Sequence, residues 1–390
     1  MSLCLAGAAA AASPPRHPLI MISMDGFRAD YLDRGLTPTL SRLAAEGAHA
    51  TGMRPSFPAL TYPNHYTLVT GLRPDHHGLV HNIMQDKAAG LTFGLGDRAQ
   101  VRNPLWWEGG EPLWVTAGRA GRKTASMFWP GDETVIHGGQ PGRHMTFDQT
   151  VTAEQRVDQV LAWFAADRPD LTTLYFDDAD TAGHGDGPSS ERANAATRRL
   201  DAAVARLIAG LAAQGLGEGD YNLLIMADHG MVRADTLVFL DDAAKGTARI
   251  VAGGGKALLD PLPGREAEAR RALVGRHAHM TCWDKGAIPA RYRYGANARV
   301  PAIVCLGDTG WYLTTHAAAD GKTPSTGQHG FDPFDPNMAA LFIAHGPNIK
   351  AGVTLRDMDN VDVYPLAMRL LGVAPRPNDG QWRYVAGALK

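Results

Sequence analysis

Mainly apolar runs alternate with amphipathic segments along most of the chain. Leu19–Ser23, Leu171–Phe176 and Asn222–Ala227 are rich in apolar side chains without alternating polar positions, which is typical of strands buried on both faces. The segment from Ala193 to Leu211 instead spaces its apolar residues with a helical period. The alternation predicts an α/β fold with a central, mostly parallel sheet that is flanked by helices on both faces.

The remaining elements are predicted from the same periodicities and from capping residues. They are a helix that begins at Thr37-Pro38, a helix around Leu68 that ends at Gly71, a helix over Glu154 to Phe164, a strand over Ala339 to Ala344 and a helix over Asp362 to Leu371. A stretch rich in Gly, Arg and Pro, from Gly253 to about Val300, breaks this rhythm. We expect a small inserted subdomain at about 253–300, with one helix over Arg265 to Gly275, inside a single domain over 16–390.

The N-terminus and the cysteines indicate the cellular compartment in which the protein is found. Leu3 to Ala12 is short, apolar and rich in Ala, so residues 1–15 resemble a residual signal peptide, although a positive n-region is missing. A disordered Ala-rich tail is the alternative. Cys282 and Cys305 form an even pair suited to one disulfide in an oxidising compartment. We therefore expect a periplasmic or secreted protein, and no later run is long enough to cross a membrane.

Composition excludes some partners. The 390 residues are 45% hydrophobic and 20% charged, which is ordinary for a globular chain. The formal net charge is -2, and Arg and Lys are scattered, so we expect no nucleic-acid partner and no stable membrane insertion. An anionic substrate must therefore be held by local groups.

Polar clusters at the ends of predicted strands supply the candidate chemistry. In a parallel sheet, sites form beyond the carboxyl ends of the strands. Three carboxylates, three imidazoles and one hydroxyl are candidates, and they suit two zinc ions with a threonine between them. These residues are Asp25, Asp180, Asp228, His184, His229, His329 and Thr61. Spacing alone does not separate Asp180 from the nearby Asp177 and Asp178.

Thr61 is the candidate nucleophile. Its hydroxyl stays protonated at neutral pH and needs a nearby base or a metal ion to react. A helix N-cap is the alternative role, and both roles are compatible. We also expect a helix that starts after Thr61 to aim its amides at an anion.

Together, these residues resemble the nucleotide pyrophosphatase/phosphodiesterase family of the alkaline phosphatase superfamily. The resemblance runs from Ile20 to about Leu371. The phrases that carry it are Ser23-Met24-Asp25-Gly26-Phe27-Arg28, Phe57-Pro58-Ala59-Leu60-Thr61-Tyr62-Pro63-Asn64-His65, Thr70-Gly71-Leu72-Arg73-Pro74, His76-His77-Gly78, Asp180 to His184, Ala227-Asp228-His229-Gly230-Met231 and Gln328-His329-Gly330-Phe331-Asp332.

The resemblance implies an alkaline-phosphatase-like fold, a bacterial-type catalytic domain and a role for each site residue. One zinc ion is held by Asp180, His184 and His329, and the other by Asp25, Asp228, His229 and the Thr61 oxygen. Asn82 matches an asparagine that donates to a phosphate oxygen. Tyr62 and Tyr175 match aromatic residues that line the slot for the nucleotide base.

The implied reaction is zinc-dependent hydrolysis of nucleotide phosphodiester or pyrophosphate bonds through a covalent threonyl-nucleotide intermediate, releasing nucleoside 5'-monophosphates. The residues themselves favour a diester, because the next cation after Thr61 is Arg73, whereas Tyr62 offers an apolar surface. A phosphomonoesterase or a lipid-headgroup phosphodiesterase of the same superfamily is the nearest alternative, and a zinc-binding protein without turnover is a remote one. The preferred nucleotide and the oligomeric state stay open.

Overall fold

The computed structural model describes residues 17–320 and 325–390, so the predicted leader at residues 1–15 lies outside the described residues. The strands are β1 Leu19–Met24, β2 Ala48–Ala50, β3 Ile83–Asp86, β4 Leu91–Gly94, β5 Thr124–Met127, β6 Arg143–His144, β7 Leu171–Phe176, β8 Asn222–Met226, β9 Val232–Arg233, β10 Thr236–Phe239, β11 Ala248–Ala252, β12 Lys256–Pro261, β13 Gly275–Arg276, β14 Met280–Asp284, β15 Ile303–Gly307, β16 Trp311–Thr314, β17 Gly327–Gln328, β18 Phe342–His345 and β19 Val353–Leu355. The α-helices are α1 Pro38–Glu46, α2 Thr61–Thr70, α3 Pro74–His77, α4 Arg98–Val101, α5 Leu113–Arg119, α6 Ala153–Asp167, α7 Asp178–Asp186, α8 Glu191–Ala213, α9 Leu240–Ala244, α10 Glu266–Leu273, α11 His316–Ala319 and α12 Val363–Leu370.

The main sheet has eight strands in the order β19-β2-β18-β8-β1-β7-β5-β6. The strands from β8 to β6 are parallel neighbours, whereas β18 is antiparallel to both β8 and β2. Every residue of β1, β7 and β8 is buried, as expected where helices cover both faces of a sheet. The predicted α/β fold with a central, mostly parallel sheet is confirmed.

The predicted elements are present, and their ends differ by a few residues. The helix around Leu68 is α2, which begins at Thr61 and ends at Gly71, whose φ of 69° suits a left-handed C-cap. The strand predicted over Ala339 to Ala344 begins later, as β18, because the backbone of Ala340 pairs with Met53 instead. No helix in the described part of the chain is long and apolar enough to span a bilayer.

A second, antiparallel sheet has the order β11-β12-β15-β14-β13. It runs from Ala248 to Gly307 and therefore extends beyond the predicted insertion at about 253–300, because its first and last strands along the chain, β11 and β15, both pair with β12. The predicted helix over Arg265 to Gly275 is the shorter α10. Cys282 and Cys305 are direct cross-strand partners on β14 and β15, and they form the disulfide that the sequence had left open.

Candidate active site

Three aspartates meet at one edge of the main sheet. Asp25 follows β1, Asp228 follows β8 and Asp180 lies in the first turn of α7 after β7. Because β7, β1 and β8 are adjacent and parallel, their carboxyl ends lie side by side. Gly26 permits the close approach, since its φ is +67° and a Cβ there would lie 3.1 Å from the Cα and Cβ of Asp180.

One group of donor atoms lies around Asp180. Helix α7 places His184 one turn after Asp180, with 3.4 Å between His184 Nε2 and Asp180 Oδ2. His329 Nε2 lies 3.8 Å from the other oxygen of Asp180. Asp177 and Asp178, which the sequence left as alternatives to Asp180, form ion pairs elsewhere. Asp177 pairs with Arg156, and Asp178 pairs with Arg199.

A second group lies around His229. Its Nε2 is 2.9 Å from Asp228 Oδ2 and 3.4 Å from Asp25 Oδ1. The Thr61 hydroxyl is 3.4 Å from the same nitrogen. The ring of His229 stacks on that of His329, with 3.7 Å between centroids, so the two groups adjoin. The structure therefore brings together all seven residues that the sequence proposed as ligands.

The three imidazoles share one orientation. In each ring, Nδ1 is within hydrogen-bond distance of a backbone carbonyl, which fixes the tautomer with the proton on Nδ1 and leaves Nε2 as the donor atom facing the cluster. The pairs are His184 with Gly327 at 2.8 Å, His229 with Gly230 at 2.9 Å and His329 with Ala59 at 2.9 Å.

His65 lies beside the cluster but is oriented differently. Its Nε2 is 2.8 Å from the Ser23 hydroxyl, and its Nδ1 is 2.9 Å from the Thr61 carbonyl. Burial lowers the pKa of its fully buried ring. Both nitrogens are thus engaged, so His65 supports the start of α2 and offers no free donor.

The electrostatics of the cluster suit a bound cation. Asp25 Oδ1, Asp180 Oδ1 and Asp228 Oδ2 are buried and have no hydrogen-bond partner within the described residues. Burial raises the pKa of Asp25 and that of Asp180, and neighbouring carboxylates add to the effect. Burial also opposes ionisation of Asp228, but the imidazoles of His229 and His65 hold its pKa below the ordinary value. Such carboxylate oxygens fit metal coordination, which supplies the missing positive charge.

Asn82 binds the backbone of the residue that follows the nucleophile candidate. Its Oδ1 accepts a hydrogen bond from the Tyr62 N–H at 3.0 Å, and its amide NH₂ makes no hydrogen bond to another described residue. The expectation that α2 aims its amides at an anion stays a prediction for the Thr61 N–H and does not extend to the next two residues. The Tyr62 N–H is taken by Asn82, and Pro63 has no N–H to offer.

A cleft of about 360 Å³ opens beside Thr61. Tyr62 lines it, and Tyr175 contributes little surface because it is 7% exposed and its hydroxyl donates to Asp25 Oδ2 at 2.6 Å. Sequence reasoning missed Phe147 and Arg98, which also line the cleft. Both come from segments between the main strands, where no periodicity or motif marks them.

Known proteins are similar to this chain in sequence and in fold. Residues 19–332 match the family model for type I phosphodiesterase / nucleotide pyrophosphatase. Human ectonucleotide pyrophosphatase/phosphodiesterase family member 5 is 32% identical over 96% of this chain and 79% of its own length. An uncharacterized pyrophosphatase/phosphodiesterase of Schizosaccharomyces pombe is 35% identical over 95% of this chain and 79% of its own length.

A solved structure of the murine family member 5, an inactive threonine-to-alanine variant in complex with AMP, superposes with a TM-score of 0.90. It is 32% identical and covers 96% of this chain and 100% of the murine chain. The match extends over the main sheet, the second sheet and the candidate site. The chain belongs to the type I phosphodiesterase/nucleotide pyrophosphatase family, within the alkaline phosphatase superfamily, and is a phosphodiester hydrolase.

Proposed function

We propose that this protein hydrolyses nucleotide phosphodiester and pyrophosphate bonds with two zinc ions and releases nucleoside 5'-monophosphates. The observation that carries this proposal is the position of the Thr61 hydroxyl, between the imidazole–carboxylate cluster and an aromatic cleft. Imidazole and carboxylate donors are ligands that zinc accepts readily. One ion would be held by Asp180, His184 and His329, and the other by Asp25, Asp228, His229 and the Thr61 oxygen.

When bound, the two ions would supply the positive charge that acidifies the Thr61 hydroxyl and stabilises the negative charge that develops on the phosphate. Thr61 then attacks phosphorus, the leaving group departs and a threonyl-nucleotide ester forms. Hydrolysis of that ester releases the nucleoside 5'-monophosphate and restores the hydroxyl. Asn82 donates its free amide to a phosphate oxygen, because the Tyr62 N–H holds the other end of that side chain. The inactivity of the murine threonine-to-alanine variant supports a threonine nucleophile.

The cleft favours a nucleotide diester over a monoester. A monoester brings an extra negative charge, which a site usually meets with a nearby cation. Arg73, the next cation after Thr61 in the chain, pairs with Asp359 and does not line the cleft. Arg98 does line the cleft, but its charge is paired with that of Glu133. Tyr62 and Phe147 instead offer aromatic surfaces suited to a base, and Tyr175 closes the floor beside Asp25. The AMP complex of the murine relative is consistent with this substrate class.

We also propose a periplasmic or secreted location. The Cys282–Cys305 disulfide suits an oxidising compartment. The relatives include ectonucleotide enzymes and a venom phosphodiesterase of Crotalus durissus collilineatus, whose names indicate action outside the cytosol.

The test compares p-nitrophenyl thymidine 5'-monophosphate, p-nitrophenyl phosphate and p-nitrophenylphosphorylcholine as substrates. Each is assayed with the enzyme as purified, after chelation and after zinc is added back. We expect the nucleotide diester to be hydrolysed fastest, with activity lost on chelation and restored by zinc. Faster turnover of the monoester or of the choline diester would support the corresponding alternative. Stoichiometric zinc without turnover of any substrate would indicate a binding protein.

A further inference from the structure

Arg98 is the cation that lines the described part of the cleft beside Thr61. Its guanidinium lies 5.7 Å from the ring centroid of Phe147. Arg98 and Tyr62 both line the cleft, and the charge of Arg98 opposes the burial that raises the pKa of Tyr62 to about 12. Arg98 therefore stands beside the aromatic surface of the cleft on which the proposed function places the base.

Glu133 holds this guanidinium in place. Its Oε1 accepts hydrogen bonds from Arg98 Nη2 and from the Phe147 N–H, and its Oε2 accepts from Arg102 Nε at 2.9 Å. The Glu133 side chain is 8% exposed, so this carboxylate is buried and fully engaged. The buried Glu133 carboxylate thus fixes both Phe147, through its backbone N–H, and the Arg98 guanidinium.

Arg98 keeps hydrogen-bond donors that bind no described residue. Nε and Nη1 of Arg98 make no hydrogen bond to any described residue, and the Arg98 side chain is 35% exposed. The nearby carboxylates are occupied, because Glu133 binds the two arginines and Asp132 accepts from the Ser126 hydroxyl at 2.7 Å. Beside Arg98 the cleft therefore offers free N–H donors, and the neighbouring Glu133 and Asp132 already accept hydrogen bonds.

Resting on the proposed function, we infer that Arg98 selects bases that carry an acceptor oxygen at the 6-position of a purine, and hence guanosine and inosine substrates over adenosine. Arg98 can pair bidentately with O6 and N7 of such a purine through the second N–H of Nη2 together with Nη1 or Nε, because Glu133 takes only one N–H of Nη2. Adenine instead presents an amino group beside N7, and its N–H donors would face the Arg98 donors with no acceptor to receive them.

The test uses the p-nitrophenyl esters of inosine and adenosine 5'-monophosphate, which differ at the 6-position and in N1 protonation. We expect kcat/KM to favour the inosine ester by roughly tenfold. In Arg98→Met the ratio of kcat/KM for the inosine ester to that for the adenosine ester should fall to about one. Arg98→Lys should keep part of the wild-type ratio. The dissociation constants of IMP and AMP, measured by calorimetry, should follow the same order without depending on turnover.

Arg102→Met is the matched control, because it removes the other Glu133 partner and Arg102 does not line the cleft. It should keep the wild-type preference. Equal kcat/KM for the two esters in the wild type, or an equal loss of preference in both Met variants, would overturn the inference and leave the proposed function standing. Hydrolysis of neither ester would instead overturn the proposed function and the inference with it.

Discussion

Nδ1 of His329 hydrogen-bonds to the backbone carbonyl of Ala59 at 2.9 Å, two residues before Thr61. A proposed zinc ligand and the proposed nucleophile are thereby joined, although they lie far apart in the chain. Gly330 reinforces the contact, since a Cβ there would lie 3.0 Å from Leu60 Cδ2. Packing therefore sets the distance between the Thr61 hydroxyl and the cluster.

Replacing the nucleophile should separate catalysis from metal binding. We expect Thr61→Ala to lower kcat/KM on a nucleotide diester by on the order of 10³-fold or more, because the reacting oxygen is lost. Zinc content, measured by atomic absorption, should change little because six other donor residues remain. Thr61→Ser keeps a hydroxyl and should retain much more activity. A near-normal rate in the Ala variant would refute the nucleophile assignment.

The cluster should need the Asp228 charge to hold zinc. In the structure, Asp228 Oδ1 accepts a hydrogen bond from the Gly26 N–H at 3.1 Å. Asp228→Asn keeps an oxygen for that hydrogen bond but removes the negative charge. We expect the variant to lose about one equivalent of zinc on dialysis and to show a smaller rise in Tm on zinc addition. Asp178→Asn is the control, since Asp178 pairs with Arg199 outside the cluster. Equal zinc content in wild type and Asp228→Asn would contradict the ligand assignment.

The positions of the site aspartates could be predicted from the sequence better than those of the residues around them. Asp25 and Asp228 follow apolar strands, and parallel strands necessarily bring their carboxyl ends together. His329 had no such local signal, because its position depends on β17 pairing with β9, a contact between distant parts of the chain. Its assignment came from the family resemblance.

The wall of the cleft could not be predicted from local patterns. Arg98 and Phe147 become neighbours only through Glu133, which lies in a turn between β5 and β6. The extent of the second sheet was missed for a similar reason. Its pairing of β11 with β12 reaches back to Ala248, ahead of the Gly-rich stretch that marked the insertion in the sequence.

Asn82 should contribute to the transition state more than to substrate binding. Its Oδ1 is already bound to the Tyr62 N–H, so its amide NH₂ is left to meet charge on the phosphate. We expect Asn82→Ala to lower kcat by roughly 10²–10³-fold with a small change in KM. Asn82→Asp keeps the acceptor for Tyr62 and replaces the donor with a carboxylate, so it should be at least as damaging. Wild-type kcat in the Asp variant would exclude the donor role.

Acid should destabilise the fold through His77. Burial lowers its pKa to about 3, and its Nδ1 accepts from the Leu79 N–H at 3.1 Å, a bond that a proton on Nδ1 would break. The unfolded state therefore takes up the proton first, and stability is lost as pH falls from about 6.5 towards 3. Between pH 8 and pH 5 this group should remove about 2 kcal/mol from the free energy of unfolding.

Urea unfolding at both pH values measures the His77 contribution. His77→Gln should show a pH dependence that is smaller by that amount, whatever its absolute stability. The same substitution at the exposed neighbour His76 controls for the chemistry of the change. An unaltered difference between pH 8 and pH 5 in His77→Gln would show that His77 does not carry the effect.

Lys256 is a buried cation without an acidic partner. No described carboxylate lies within ion-pair distance of its Nζ, which donates to the Tyr294 hydroxyl at 3.0 Å and lies 5.3 Å from the ring centroid of Phe57. Burial lowers the pKa of Lys256 well below its ordinary value, so stability is lost as pH falls below the unfolded pKa. The side chain therefore imposes an electrostatic cost at neutral pH.

Lys256→Met should remove that cost while filling nearly the same volume. We expect the free energy of unfolding at pH 7 to rise by about 1 kcal/mol or more, measured by urea unfolding, because a buried charge gives way to an apolar side chain. The Tyr294 hydroxyl keeps its own hydrogen bond to the Val80 carbonyl at 2.9 Å. Lys350→Met is the control, since Lys350 is exposed and forms no ion pair with a described residue, so its loss should change stability by less than about 0.5 kcal/mol. A loss of stability in Lys256→Met would mean that the aromatic rings around Nζ hold the charged form favourably, as a cation–π site does.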